Sequence, residues 1–149
     1  MNNSSNRKKD EKILKRIKIK FKKDIPAEYI QHLYLSVGWQ FRECSEIKRA
    51  VEKSFMICSA WEKETLVGLA RATGDGIYSV TIWDFAIKPA YQNMGIGKLL
   101  LNSLINKINE YDIPLITLYS ELDKKNFYSK LGFECDSKKI IGMYRYNSN

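Results

Sequence analysis

Residues 82–109 constrain this chain more than any other stretch. They comprise an apolar run (Ile82-Trp83-Asp84-Phe85-Ala86-Ile87), a turn containing Pro89, then Gln92-Asn93-Met94-Gly95-Ile96-Gly97 ahead of an amphipathic segment. Leu99, Leu100, Leu104, Ile105 and Ile108 recur at helical spacing, and Lys98, Asn102, Ser103, Asn106 and Lys107 fill the other face. The period predicts a helix from Gly97 to about Asn109, ahead of Pro114. A strand that passes through a glycine-bearing turn into a helix leaves several N–H groups unpaired at the positive end of the helix dipole. Gly95 and Gly97 have no Cβ, so a bulky anion can approach the main chain and the turn can use positive φ. The stretch therefore reads as a pyrophosphate cradle.

Two other phosphate loops do not fit. A dinucleotide fingerprint needs a third glycine where Leu100 stands, and a Walker loop needs glycine at Gln92 and Ser or Thr at Leu99.

The formal net charge is +8 over 149 residues, and its distribution is informative. Residues 1–23 hold ten Lys or Arg against Asp10 and Glu11, whereas residues 24–149 hold fifteen charges of each sign. The domain is neutral and the basic character belongs to an arm. Residues 1–12 are polar and lack an apolar period, so they read as a disordered basic tail, with one domain over 13–149. Within the arm, Ile17-Lys18-Ile19-Lys20-Phe21-Lys22 alternates with period two and predicts a first strand whose lysines are solvated. Such an edge discourages sheet-to-sheet association. That reading is favoured over attraction to nucleic acid, an anionic membrane or cofactor phosphates. Asp10 and Glu11 interrupt the basic run, so it reads poorly as a transit peptide.

Cys44, Cys58 and Cys135 have no metal-like spacing and His32 is the sole histidine, so neither a metal site nor an activated cysteine is expected. No apolar run reaches the length of a membrane span.

Pro26 opens a helix carrying Tyr29, Ile30, Leu33, Tyr34 and Val37, which Gly38 ends; Ser45 is expected to cap a second helix with Ile47, Ala50 and Val51 inward. Residues 55–61 and 66–72 read as a hairpin turning at 62–65, and Gly74-Asp75-Gly76 leads on into the strand that ends at Ile87. The helix after Gly97 then crosses over to Leu115-Ile116-Thr117-Leu118-Tyr119, which must run parallel to the preceding strand. A short helix is expected from an N-cap at Asp123 to a C-cap at Gly132, with Phe127, Tyr128 and Leu131 inward.

Two signatures stand out in this order. Gln92-x-x-Gly95-x-Gly97, after a strand ending Ile87-Lys88-Pro89, resembles the acetyl-CoA loop of the GCN5-related N-acetyltransferases (GNAT). Phe127-Tyr128-x-Lys130-x-Gly132-Phe133 resembles the second signature of the same family. Leu66 to Thr73, Thr81 to Asp84 and Gly142-Met143-Tyr144 further resemble its plastid and cyanobacterial branch, which includes plant nuclear-shuttle-interacting and serotonin N-acetyltransferases.

The resemblance, over about residues 17–146, implies an α/β (α+β) GNAT fold. Its features would be a mixed twisted sheet of six to seven strands, about four flanking helices, and parallel strands splayed at the cofactor site. It implies acetyl-CoA as co-substrate, with pyrophosphate on Gln92, Asn93, Met94, Gly95, Ile96, Gly97 and Lys98, and pantetheine beside Phe85, Ala86 and Ile87. Tyr128 matches the family tyrosine that protonates the departing sulfur. Asp84, a carboxylate among apolar strand residues, and Glu121, where many members have asparagine, are candidate bases; a structural ion pair is an equal alternative for both. Lys124 also departs from the small residue usual at its position.

Trp83 and Tyr119, with Trp39 and Phe41, are candidate acceptor-lining aromatics, although strand aromatics such as Trp83 more often build core. The function expected is acetyl transfer to a primary amine, an arylalkylamine or other small amine. The alternatives are a protein lysine or N-terminal acetyltransferase, or a non-catalytic acetyl-CoA-binding regulator with a nucleic-acid-binding arm. The plastid is the compartment that resemblance and Lys/Ile/Asn-rich composition suggest, with cytoplasm otherwise, and a monomer or homodimer is expected.

Overall fold

The structure is a computed structural model and describes residues 3–135 together with Met143 and Arg145. Gly142 and Tyr144, two of the residues behind the plastid-branch resemblance, lie outside the described residues. By contacts the chain divides into two compact units, residues 1–117 and 118–149.

In the first unit, helix α1 (Asn3–Leu14) precedes strand β1 (Ile17–Lys20), α2 (Ala27–Ser36), α3 (Cys44–Lys53), β2 (Met56–Glu62), β3 (Thr65–Gly74) and β4 (Ser79–Ile87). A 3₁₀ turn (Pro89–Tyr91) then leads to α4 (Ile96–Asn109) and β5 (Leu115–Leu118). The sheet order is β1-β2-β3-β4-β5, and the pairs β1·β2, β2·β3 and β3·β4 are antiparallel. These are five strands among the described residues, fewer than the six to seven expected.

Where disorder was expected, α1 is helical. Lys, Arg and Glu have good helix propensity, Arg7 and Glu11 pair at i,i+4 across 3.8 Å, and Leu14 packs at its end. β1 keeps the predicted alternation, its isoleucines half-buried and its lysines exposed; Lys20 Nζ lies 4.7 Å from the centre of the Trp61 ring.

The two faces of the sheet bury different helices. Ile30, Leu33 and Tyr34 of α2 and Ile47 and Val51 of α3 form one core with Ile57, Trp61, Leu66, Leu69 and Ala86 of the strands. On α4, Ile96, Leu100, Leu101, Leu104 and Ile108 are fully buried and the helix packs on β2 and β3. Leu100, Leu104 and Ile108 are inward as the period predicts, whereas Leu99 and Ile105 are only partly buried and Leu101 is inward in their place. Each such side chain contributes roughly 1.5–3 kcal/mol by leaving water, so α4 is firmly seated. Buried Cys58 on this side donates to the Leu100 carbonyl at 3.6 Å. Burial pushes its thiol up to about 12, which suits a packing residue and not a nucleophile.

Two caps differ from expectation. Ser45 lies inside α3, whose N-cap is Glu43, and Pro26 is the N-cap of α2; neither makes a side-chain capping bond. Gly38 ends α2 as expected, at φ 81°.

The second unit carries a 3₁₀ turn (Leu122–Lys124) followed by α5 (Lys125–Ser129). Asp123 falls inside that turn and is not the cap. Gly132 closes α5 at φ 88°, with Phe133 N–H donating to the Tyr128 carbonyl at 3.2 Å, the six-to-one bond of a Schellman ending.

Candidate active site

One residue too many in β4 sets the geometry of the candidate site. Leu69 pairs with Ala86 and Arg71 with Trp83, so two steps along β3 face three along β4. The surplus is taken up by a bulge, and Asp84 in it has φ 51°, the left-handed region that Asp and Asn tolerate better than other side chains. The bend lies immediately before Phe85, Ala86 and Ile87.

Asp84 is the ion-paired carboxylate that its apolar strand context allowed for. Arg71 Nε donates to its Oδ2 at 2.6 Å and the Tyr34 hydroxyl donates to the same oxygen at 3.1 Å. Arg71 Nη1 also donates to Ser54 Oγ at 3.0 Å and to the Ala50 carbonyl at 3.4 Å, which ties the pair to the end of α3. Burial, and next the negative charge of Asp84, hold the Tyr34 phenol far above the ordinary tyrosine range. Its ring meets Trp39 at 5.0 Å. Among the described residues Asp84 Oδ1 accepts no hydrogen bond. The carboxylate is thus fixed through Oδ2.

Arg71 and Tyr34 are residues that the sequence reading missed as site members. A cation alone among Leu69, Ala70 and Ala72 was the available signal, since a mid-strand charge needs a partner.

The loop after β4 has the properties of an anion cradle. Gln92 Nε2 donates to the Ile87 carbonyl at 2.9 Å and ties the loop to the strand end. Asn93 at φ 62° and Gly95 at φ 85° turn the chain, and Gly95 is the N-cap of α4. The helical ladder begins with Leu99 N–H to the Gly95 carbonyl at 3.0 Å, so the N–H groups of Ile96, Gly97 and Lys98 have no carbonyl partner within the helix. Gln92, Asn93, Gly95 and Lys98 are exposed and Met94 and Gly97 partly so, while Ile96 anchors the turn in the core. An anion such as a pyrophosphate fits these donors, at the positive end of a 14-residue helix.

Trp83 is 40% exposed and so is not a core aromatic; Phe41 is also open to solvent. In the second unit Tyr119 and Glu121 are exposed and Tyr128 is half-buried. The Tyr128 ring meets Phe127 at 5.2 Å and Phe133 at 6.2 Å, both edge to face. Burial first, then the charge of Glu121, raise the Tyr128 phenol above its ordinary value, so it carries its proton throughout the neutral range. No group of three or more metal-ligating side chains occurs among the described residues, and no described helix is long and apolar enough to cross a membrane.

A five-stranded sheet with helices on both faces, bulged in β4 and followed by a donor-rich turn into a helix, is the architecture of an acetyltransferase. Residues 40–142 match the family model described as acetyltransferase (GNAT) domain, and the chain belongs to this family. Among individual proteins it is similar to the uncharacterized N-acetyltransferase ycf52 of Porphyra purpurea, 38% identical over 137 residues that cover 89% of this chain and 79% of that one. It is 36% identical over 134 residues to histone acetyltransferase TAP1 of Glycine max, covering 83% of this chain but 58% of TAP1. It is 31% identical over 143 residues to the chloroplastic GCN5-related N-acetyltransferase 2 of Arabidopsis thaliana, covering 83% of this chain and 55% of that protein. The chain thus spans little more than half the length of either plant relative. A solved GNAT-family structure from Streptococcus pneumoniae TIGR4 superposes with a TM-score of 0.77 at 33% identity, covering 89% of this chain and 99% of that one. The family read from the two signatures holds, and so does the plastid-branch likeness read from Leu66 to Thr73, Thr81 to Asp84 and Gly142-Met143-Tyr144.

Proposed function

We propose that this acetyltransferase moves the acetyl group of acetyl-CoA onto a primary amine, a small amine such as an arylalkylamine, by direct attack. The observation that carries this reading is the Asp84 carboxylate, held through Oδ2 by Arg71 and Tyr34 and with no hydrogen bond to Oδ1 from the described residues, in the strand that runs into the anion cradle. Acetyl-CoA supplies the activated thioester. Main-chain N–H groups from Asn93 to Lys98 hold its pyrophosphate, and the strand edge at Phe85, Ala86 and Ile87 orients the pantetheine. Asp84 Oδ1 accepts a proton of the acceptor's ammonium, directly or through water, and so leaves the nitrogen lone pair available; Glu121 is the second candidate for this role. Tyr128 donates its phenolic proton to the departing sulfur, and its raised affinity for that proton keeps it ready at neutral pH. Trp83 and Tyr119, each partly open to solvent, are the aromatic residues proposed to meet the acceptor.

A second reading, acetylation of a protein lysine, is favoured by the similarity to the Glycine max protein named a histone acetyltransferase. The chloroplastic relatives support a plastid location. The experiment is a competition, with tryptamine, serotonin, spermidine and a lysine peptide together with limiting acetyl-CoA and the products weighed by mass spectrometry. Predominant acetylation of an arylalkylamine supports the small-amine reading. Predominant acetylation of the peptide replaces it with the second.

A further inference from the structure

The basic arm reaches the anion cradle directly at Gly95 and, through Glu62, the residue that precedes it, Tyr91. The methyl carbon Cδ2 of Leu14, at the end of α1, lies 3.5 Å from where a Cβ on Gly95 would stand. Two residues later, Arg16 Nη1 lies 3.9 Å from Glu62 Oε1, and the other oxygen of Glu62 accepts the Tyr91 hydroxyl at 2.7 Å. Tyr91 is the residue before Gln92. The arm is thus linked to the start of the loop by Arg16 through Glu62 and to the N-cap of α4 by Leu14, with Lys15 between the two.

Charge gives this placement a purpose. A helix N-terminus presents about half an elementary charge, and Lys98 is the single cation within Gln92–Lys98. A ligand that carries a pyrophosphate and a separate 3′-phosphomonoester brings more negative charge than that. Lys15 and Arg16 are exposed, and the Arg16 side chain keeps 61% of its surface open despite its pairing with Glu62. At that length the Arg16–Glu62 contact is loose, so the guanidinium can turn to a phosphate without losing a strong bond.

We infer that Lys15 and Arg16 form a second, side-chain half of the cofactor site and bind the phosphate groups of the adenosine end of acetyl-CoA. The inference rests on the reading of Gln92–Lys98 as the pyrophosphate cradle. It gives the arm a task beyond protecting a sheet edge: the residues between α1 and β1 hold phosphate groups of the cofactor. Arg16 in particular exchanges partners, with Glu62 holding it near the loop until a phosphate arrives. Recognition is by charge, so it weakens with salt over a Debye length of roughly 8–10 Å.

The test is calorimetric titration of the full chain with acetyl-CoA and with 3′-dephospho-acetyl-CoA, at low and at high salt. Lys15→Gln/Arg16→Gln removes the charges. Leu14→Ala unseats the arm and leaves its charge intact, and urea midpoints verify that both variants are folded. Both are expected to bind acetyl-CoA about fivefold to tenfold more weakly than the wild type at low salt, and less weakly by comparison at high salt. A preference of the wild type for acetyl-CoA over its dephospho form that vanishes in the double variant assigns the 3′-phosphate. Equal weakening toward both ligands assigns the pyrophosphate. Unchanged acetyl-CoA affinity in the double variant overturns the inference, and does so equally if that variant has lost affinity for duplex DNA. Failure of the wild type to bind acetyl-CoA overturns the cradle reading itself, and the inference with it.

Discussion

Arg71 and Asp84 meet across neighbouring strands at 2.6 Å, and the carboxylate they share with Tyr34 stands on a backbone turned to φ 51°. The backbone conformation and the ion pair support one another. A left-handed residue inside a strand costs about 1–2 kcal/mol, and a charge-assisted bond to a partly buried carboxylate contributes about as much in return. The bulge that bends β4 is therefore held from the side by an arginine reaching across from β3.

Arg71→Met is expected to destabilise the protein by about 1–3 kcal/mol, because it strands Asp84 and leaves Ser54 Oγ without its donor. Chemical denaturation measures this as a lowered urea midpoint. A midpoint equal to that of the wild type would show that the pair does not hold the bulge.

Asp84→Asn separates charge from conformation, since asparagine also tolerates positive φ. The midpoint should fall less than in Arg71→Met, while amine acetylation drops roughly a hundredfold or more. Asp84→Val, which cannot adopt this backbone without strain, should lose stability as well as activity.

Tyr34 makes stability depend on alkaline pH. Its phenol is held above the ordinary tyrosine value by burial and by Asp84, so the unfolded chain loses this proton first as pH rises. The contribution is complete below about pH 10, the unfolded value, and is lost progressively above it. Urea midpoints at neutral pH and above pH 10 should fall more steeply for the wild type than for Tyr34→Phe. Parallel curves would contradict the assignment.

Gly76 and Gly38 both adopt left-handed backbone, at φ 72° and 81°, but only Gly76 faces a neighbour, the Phe55 ring. Gly38→Ala should cost about 1 kcal/mol from backbone strain alone. Gly76→Ala should cost about 1–3 kcal/mol more, because the ring must move. Equal thermal shifts for the two would show that Phe55 yields freely.

Much of this architecture is legible in local pattern. The period of α4, the alternation of β1, the hairpin at residues 62–65 and the glycines closing α2 and α5 each follow from neighbours in sequence. The helix α1 was not legible, because its composition lacks an apolar face and its end is held by Leu14 against Gly95, far away in the sequence. The position of Asp84 in an apolar run announced that it needed a partner or a task. Which partner could not be read, because the bulge shifts the register between β3 and β4 and brings Arg71 to Asp84 while its Cα pairs with Trp83. Trp83 shows the reverse failure, since aromatic residues in strands usually face a core and this one is exposed.

Thiol release from acetyl-CoA, by the wild type and by Tyr128→Phe and Asp84→Asn, each with and without a primary amine, tests the roles of both residues at once. Release should depend on the amine in the wild type and fall roughly a hundredfold or more in each variant, with acetyl-CoA binding retained. Release indifferent to every amine, or both variants as active as the wild type, would contradict these roles.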